Sequence, residues 1–376
     1  MLVRRAQFPY MDKKRILFTS GVVAVLGLLV YLQFRHWQRF DWATFWAEAH
    51  EIRPWHIAHA VALIYLGYVM RAIRWKLFLR PVRPRASSLQ LIAPTLIGFT
   101  GLALLGRPGE FIRPYLIARR ENLPFSSQIA VWAVERIFDI GAFAVLLALA
   151  IFLPGALGST PHPEFRNKLI YGGVLLLGIV FALAIGAVVV AQKGEALANW
   201  FEQRFSHWTK NLGKRVAERI REFGSGLNTI HSPFSLLLLI VVSLLMWYLI
   251  ALAYHEVTIA YHGVLNAAGD QPLDIPVPQI LLLMGSSMVG SILQLPGVGG
   301  GSQLATIAAL EHIFDVPQEL ALSCGIMLWL VTFVAVIPLG LLLARYEHLS
   351  LRRLSQESHQ AEHEAAPPLP PSEAET

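Results

Sequence analysis

The chain has 376 residues, of which 55% are hydrophobic and 15% charged, with a formal net charge of +6. Its mean hydropathy is +0.51. Soluble domains carry about 25% charged residues, so this composition excludes a disordered chain, a disulfide-rich module and a soluble enzyme of this length. The single cysteine, Cys324, has no partner within the chain and says nothing about redox compartment. Apolar runs near the length of a bilayer crossing predict an all-α polytopic membrane protein. The positive charge then reads as topology, not as a nucleic-acid partner, because Lys and Arg collect in loops on one side.

Six full spans are predicted at 16–34, 57–79, 128–153, 169–191, 234–254 and 321–344, with two re-entrant helical hairpins at 89–120 and 279–315. A helix rises 1.5 Å per residue and a hydrocarbon layer is about 30 Å thick, which sets the length of a span. Residues 1–15 form a cytoplasmic N-terminus with Arg4, Arg5, Lys13, Lys14 and Arg15. The first span is an uncleaved anchor, since Arg35, His36, Trp37 and Gln38 stand where a signal peptide would need small residues. Trp37, Phe40, Trp42, Phe45 and Trp46 then suggest an interfacial aromatic belt. The second span ends in Arg71, Arg74, Lys76, Arg80, Arg83 and Arg85, read here as cytoplasmic loop charges.

The first membrane repeat covers 16–153 and the second 154–345. Between the fourth and fifth spans, Trp200, Phe201, Phe205, Trp208, Leu212, Val216, Ile220 and Phe223 recur at helical spacing over 195–223. That helix lies on an anionic leaflet or packs on the protein itself. Residues 255–320 contain no Lys or Arg and are expected outside. The tail, 346–376, is cytoplasmic, Pro-rich and expected to be disordered. Its His359 and His363 have no scaffold to fix a metal, so no metal site is expected.

These assignments agree only if 89–120 enters and leaves from the cytoplasm while 279–315 enters and leaves from outside. Span, span, hairpin, span then repeats with opposite orientation. Such an inverted-topology repeat places a site near the midplane where the hairpins meet.

Charges stand where they are costly. The first hairpin turns at Gly106-Arg107-Pro108-Gly109-Glu110 and continues to Arg113, and the next span carries Glu135, Arg136 and Asp139. An ionisable group at bilayer depth costs about 2.5–3.5 kcal/mol on insertion scales and so faces a partner or a wet cavity. Arg107, Glu110 and Arg113 sit at i, i+3 and i+6, and Glu135 and Asp139 at i, i+4. The three arginines and three carboxylates balance. Such a set serves equally as structural glue or as a place where a ligand phosphate exchanges with an internal carboxylate.

The second hairpin turns at Pro296-Gly297-Val298-Gly299-Gly300-Gly301 and continues with Ser302-Gln303. The glycines allow a tight turn or a close backbone approach. Ser302 is expected to cap the returning half-helix and Pro108 to open the other returning arm, so that two helix N-termini offer N–H groups to an anion. The glycine run is not a nucleotide loop, because the Gly-Lys-Ser/Thr ending is missing. His255, Glu256 and His262 miss the zinc-protease spacing, and no nucleophile elbow or paired-cysteine set occurs. No enzyme activity, catalytic residue or cofactor is expected.

The segment GRPGEFIRPYLIARRENLPFSSQIAVWAVERIFDI resembles the signature of the lysylphosphatidylglycerol synthase transmembrane family, also called flippase-like or UPF0104 proteins. Gly106, Arg107, Gly109, Glu110, Arg113, Glu135, Arg136 and Asp139 carry the likeness, which extends over about residues 10–345. A second family motif is similar to Pro296–Gln303, with Gln303 in place of a Glu and Trp329 in place of an Arg on the last span. The resemblance implies a stand-alone membrane domain without the synthase domain of bifunctional members.

The expected function is binding and translocation of an anionic phospholipid or lipid-linked head group in the inner or plasma membrane. Arg107, Arg113 and Arg136 would hold phosphate, and Glu110, Glu135 and Asp139 would orient them. Gly297, Gly299, Gly300, Gly301, Ser302 and Gln303 would complete the site from the second hairpin. Two alternatives stand beside this: a non-catalytic partner of cell-envelope lipid or glycan enzymes, and an intramembrane transferase using Glu135 or Asp139 as base. Envelope-biosynthesis enzymes and a second copy of the chain are the candidate protein partners.

Overall fold

The structure is a computed structural model that describes residues 52–152, 163–205, 233–261, 273–291 and 300–347, together with 43 and 50. The chain divides into two compact units, Met1–His50 and Glu51–Thr376, and every element below belongs to the second. The first span, the aromatic belt, most of the 195–223 helix beyond Phe205, Gly297, Gly299 and the tail from 348 lie outside the described residues.

The described residues form helices in the order α1 (Pro54–Leu79), α2 (Ser88–Leu105), a 3₁₀ turn (Arg107–Phe111), α3 (Ile112–Glu121), α4 (Phe125–Phe152) and α5 (Pro163–Phe205). There follow α6 (Pro233–Ile259), α7 (Val277–Gly290), α8 (Gly300–Ile313), α9 (Gln318–Trp329), a π-helical turn (Leu330–Val334) and α10 (Val336–Tyr346). No strand occurs among the described residues. Four helical segments among them are long and apolar enough to cross a membrane: Pro54–Leu79, Ser88–Leu105, Phe234–Ile259 and Gln318–Tyr346.

The helix α1 begins with Pro54, whose fixed φ and missing N–H suit the first helical position. It runs antiparallel to α6. The Arg53 N–H donates to the Ala260 carbonyl at 3.0 Å, His56 meets Glu256 at 2.7 Å, and Arg74 meets Ser243 at 3.1 Å.

Both predicted hairpins fold back on themselves. In the first, a Cβ on Gly98 would strike Arg113, one on Gly101 would lie 2.5 Å from Ile112, and one on Gly109 would strike the Gly101 backbone. The turn is possible because Gly106 adopts φ 70° and ψ −147°, a conformation side chains with a Cβ rarely reach. In the second, a Cβ on Gly290 would strike Gly301 and Ala305. Helices α3, α7 and α8, at 10, 14 and 14 residues, rise only about 15–21 Å each.

Two expectations about the hairpin turns change. The helix α8 already begins at Gly300, so Ser302 lies in its first turn, and its carbonyl accepts from the Thr306 hydroxyl at 2.8 Å. Pro108 opens the 3₁₀ turn, with α3 beginning only at Ile112.

The last helical stretch is interrupted by the π turn. Pro338 has no N–H to continue the ladder, and the Ala335 N–H reaches back to the Leu330 carbonyl at 2.8 Å. The Ala335 carbonyl is satisfied from outside by the Tyr65 hydroxyl at 2.7 Å. The helix α5 breaks at Lys193, where φ is −130° and ψ 23°, so the segment with Trp200 and Phe201 leaves in a new direction.

Apolar side chains cover much of the outside. Leu149 and Phe152 of α4, Tyr171 and Phe181 of α5, Val241 and Leu245 of α6, and Leu342 of α10 are all exposed. A soluble surface rarely carries such contiguous apolar area. A lipid environment accounts for it.

Candidate functional site

Seven side chains from four helices meet inside the bundle. On α4, Glu135 and Asp139 share one face one turn apart, and both are buried. From α1, Arg74, with no exposure, sends Nη2 to Glu135 Oε1 at 2.7 Å and to Asp139 Oδ1 at 2.8 Å. From α3, Arg113 forks onto Glu135: Nη2 pairs with Oε2, and Nη1 donates to Oε1 at 3.2 Å. Arg71 of α1 approaches Asp139 at 3.5 Å, and Arg136 lies 3.5 Å from Glu135 and 3.4 Å from Asp139. From α6, Trp247 Nε1 donates to Asp139 at 3.3 Å.

Aromatic rings set the guanidinium planes. The Arg113 guanidinium lies 4.4 Å from the Trp75 ring centre and 5.2 Å from that of Phe99, and Arg71 lies 5.0 Å from Phe99. Arg113 reaches this position because Gly98 lets α3 approach α2 at its own Cβ. Trp75 is in turn fixed by donating to Gln128 at 3.0 Å.

The charges do not balance. Four guanidiniums face two carboxylates, an excess of two positive charges. Glu110 lines a small cleft with Arg113, Arg136 and Trp132, and counting it still leaves one positive charge over. The Nε atoms of Arg74 and Arg136 are buried without a hydrogen-bond partner. An uncompensated charge at bilayer depth is costly. The arrangement therefore suits an anion that enters the cleft beside Arg113 and Arg136.

Phe99 and Leu102 line both this cleft and a larger cavity of about 260 Å³. The cavity runs from Arg71 and Trp247 to the second hairpin, which contributes Ser287, Ser291, Ser302 and Gln303. Trp329, Thr332 and Phe333 of the last helical stretch also line it. Both hairpins thus border one space, with the Phe99 ring between the charged cleft and the rest.

The predicted residues divide accordingly. Arg113, Glu135, Arg136 and Asp139 join the cluster, and Glu110 stands at its cleft. Arg107 is exposed at the start of the 3₁₀ turn, away from the cleft lining. Of the expected stripe through 107, 110 and 113, only Glu110 and Arg113 line the cleft. Gly300 and Gly301 start α8, while Ser302 and Gln303 reach the cavity.

The sequence reading assigned Arg71 and Arg74 to loop charge. Their signal was present: they share a face with Gly67, Tyr68, Trp75 and Phe78, all buried, whereas Lys76 and Arg80 do not. Trp247, Ser243 and Phe99 gave no such signal, since each looks like an ordinary residue of an apolar helix.

The model of the family described as "Lysylphosphatidylglycerol synthase TM region" matches residues 17–340. The chain belongs to this family. A UPF0104 membrane protein of Methanothermobacter thermautotrophicus is 24% identical over 349 residues, covering 87% of this chain and 92% of that protein. The glycosyltransferase AglD of Haloferax volcanii is 31% identical over 99 residues, which is 26% of this chain and 16% of AglD. No solved structure matches the chain. Gln303 and Trp329 line the same cavity.

Proposed function

We propose that this member of the family binds the phosphate of an anionic membrane lipid at the Arg71–Arg74–Arg113–Arg136 cluster and helps the head group cross the bilayer. The observation that carries this reading is the excess of positive charge, three buried guanidiniums and the partly exposed Arg136 against two buried carboxylates, beside a cleft and cavity bordered by both hairpins. Guanidiniums fork onto phosphate oxygens as they do onto carboxylates. A phosphate arriving beside Arg113 and Arg136 exchanges water for these donors, and Glu135 keeps Arg113 and Arg74 aimed while the site is empty. Phe99, between cleft and cavity, is the ring that must move for the head group to pass.

The topology supports the same reading. In this reading each hairpin enters and leaves on one side, the first from the cytoplasm and the second from outside; α3, α7 and α8 are too short to cross, and α2, the one arm long enough to do so, ends at the Gly106 turn. Six spans and two such hairpins form an inverted repeat, and alternating exposure of one shared site is the motion such repeats serve. The charge pattern places both termini in the cytoplasm. A role as catalytic base fits less well, since Glu135 and Asp139 are each engaged by several guanidiniums.

Lipid translocation in proteoliposomes tests the proposal. The Arg113→Ala/Arg136→Ala double variant is expected to lower the rate at least tenfold. A wild-type rate in that variant contradicts the reading.

The partial likeness to AglD favours one second reading, a non-catalytic membrane partner of envelope glycan or lipid enzymes. Under it, deletion of 346–376 abolishes function in cells while the charged-cluster variants remain active.

A further inference from the structure

The cavity is chemically lopsided. Among the described residues Arg71 is the one charged residue on its wall, and it belongs to the cluster. The rest of its wall is largely aliphatic and aromatic, interrupted by an amide, hydroxyls and an indole: Gln303, Ser287, Ser291, Thr332 and Trp329. No carboxylate lines it among the described residues. Asp139, which Arg71 contacts, is already held by Arg74, Arg136 and the Trp247 indole.

Trp329 adds a second, independent observation. Its Nε1 is buried and has no hydrogen-bond partner. A buried donor with no acceptor is costly, so it marks a place where a partner belongs. Tyr254 shows the contrast: its hydroxyl is engaged by Ser287 and Thr332.

Resting on the phosphate-binding reading above, we infer that this cavity takes an uncharged, hydroxyl-rich head group, a polyol or a single glycosyl ring, esterified to the phosphate held by the arginines. A ring hydroxyl accepts from Trp329 Nε1, and Gln303 offers both a donor and an acceptor to its neighbours. A head group ending in an ammonium finds Arg71 and no carboxylate, which disfavours it. The volume, about 260 Å³, lies below the 300–1,000 Å³ usual for drug-sized ligands, so one ring fits and an oligosaccharide does not.

The test measures lipid retention on the purified full-length protein by native mass spectrometry. The probes are phosphatidylinositol, phosphatidic acid, phosphatidylserine and phosphatidylethanolamine, each added alone. Phosphatidylinositol is expected to be retained about tenfold better than phosphatidic acid or the two amine lipids. Trp329→Phe is expected to remove that preference and leave phosphatidic acid binding unchanged, and Gln303→Leu, separately, to remove the preference. Trp329→Phe should also leave the thermal unfolding midpoint of the lipid-free protein in place, because the indole N–H holds nothing there. Equal retention of phosphatidylinositol and phosphatidic acid, or equal retention of the amine lipids, overturns the head-group inference and leaves phosphate binding standing. Retention of no anionic lipid at all overturns both.

Discussion

Glu135 is the residue on which the cluster turns. It has no exposure, and it alone meets both Arg74 of α1 and Arg113 of α3. Removing one partner of a buried ion pair typically costs about 3–5 kcal/mol, since the other charge is left unpaired. Glu135→Gln, which keeps the shape and removes the charge, is therefore expected to lower the thermal unfolding midpoint of the purified protein markedly. Asp139→Asn should have a smaller effect, because Arg74 keeps Glu135. An unchanged midpoint for Glu135→Gln would show that the arginines do not depend on it. Phe99 gives a second expectation at this scale. Phe99→Ala opens the partition between cleft and cavity and should raise basal lipid leakage in proteoliposomes; a rate no higher than wild type would show that Phe99 is not the partition. The sequence disclosed Glu135, Asp139 and Arg113 because a charge inside an apolar run has few explanations. It concealed Arg71 and Arg74 because cationic residues at the end of a span have a common alternative, the positive-inside bias.

At the scale of the element, glycines set how closely helices approach. A Cβ at Gly98 would strike Arg113, and one at Gly290 would strike Gly301 and Ala305. Overpacking a close contact costs about 1–3 kcal/mol. Gly98→Ala should both destabilise the protein by about that amount and displace Arg113 from Glu135. Gly290→Ala should do the first without touching the cluster. Gly141→Ala, where an added Cβ meets nothing within 4 Å, is the control expected to be neutral by thermal unfolding. Neutral behaviour of Gly98→Ala would mean that α2 and α3 are not held at this spacing. The turn of the first hairpin was legible from Gly106, which breaks an apolar stretch; the turn of the second, within 292–299, lies outside the described residues. The 3₁₀ turn was not legible, because an i, i+3 spacing suits both 3₁₀ and α geometry. The π turn before Pro338 was equally hidden: a proline predicts a disturbance, not its form.

For the whole molecule, the decisive feature is that one space is bordered by both hairpins and touched at one edge by a cation-rich cluster. The sidedness can be read directly. With Cys324 replaced by serine, single cysteines at Arg83 and Asn122 are expected to react from the cytoplasm, and those at Asp274 and Asp315 from outside. Labelling of Arg83 and Asn122 from opposite sides would make the first hairpin a crossing element and contradict the proposed inverted repeat. The membrane class and the approximate helix bounds followed from hydrophobic length alone, which is the strongest constraint a bilayer imposes. The cavity did not follow, because its walls come from residues far apart in the chain, such as Arg71, Gln303 and Trp329. The most direct test is native mass spectrometry of the intact protein purified from membranes. The account predicts a retained lipid of anionic phosphate type on the wild-type chain, lost in Arg113→Ala/Arg136→Ala and kept in Gly141→Ala. A wild-type chain free of such lipid, or a double variant that retains it equally, would contradict the account.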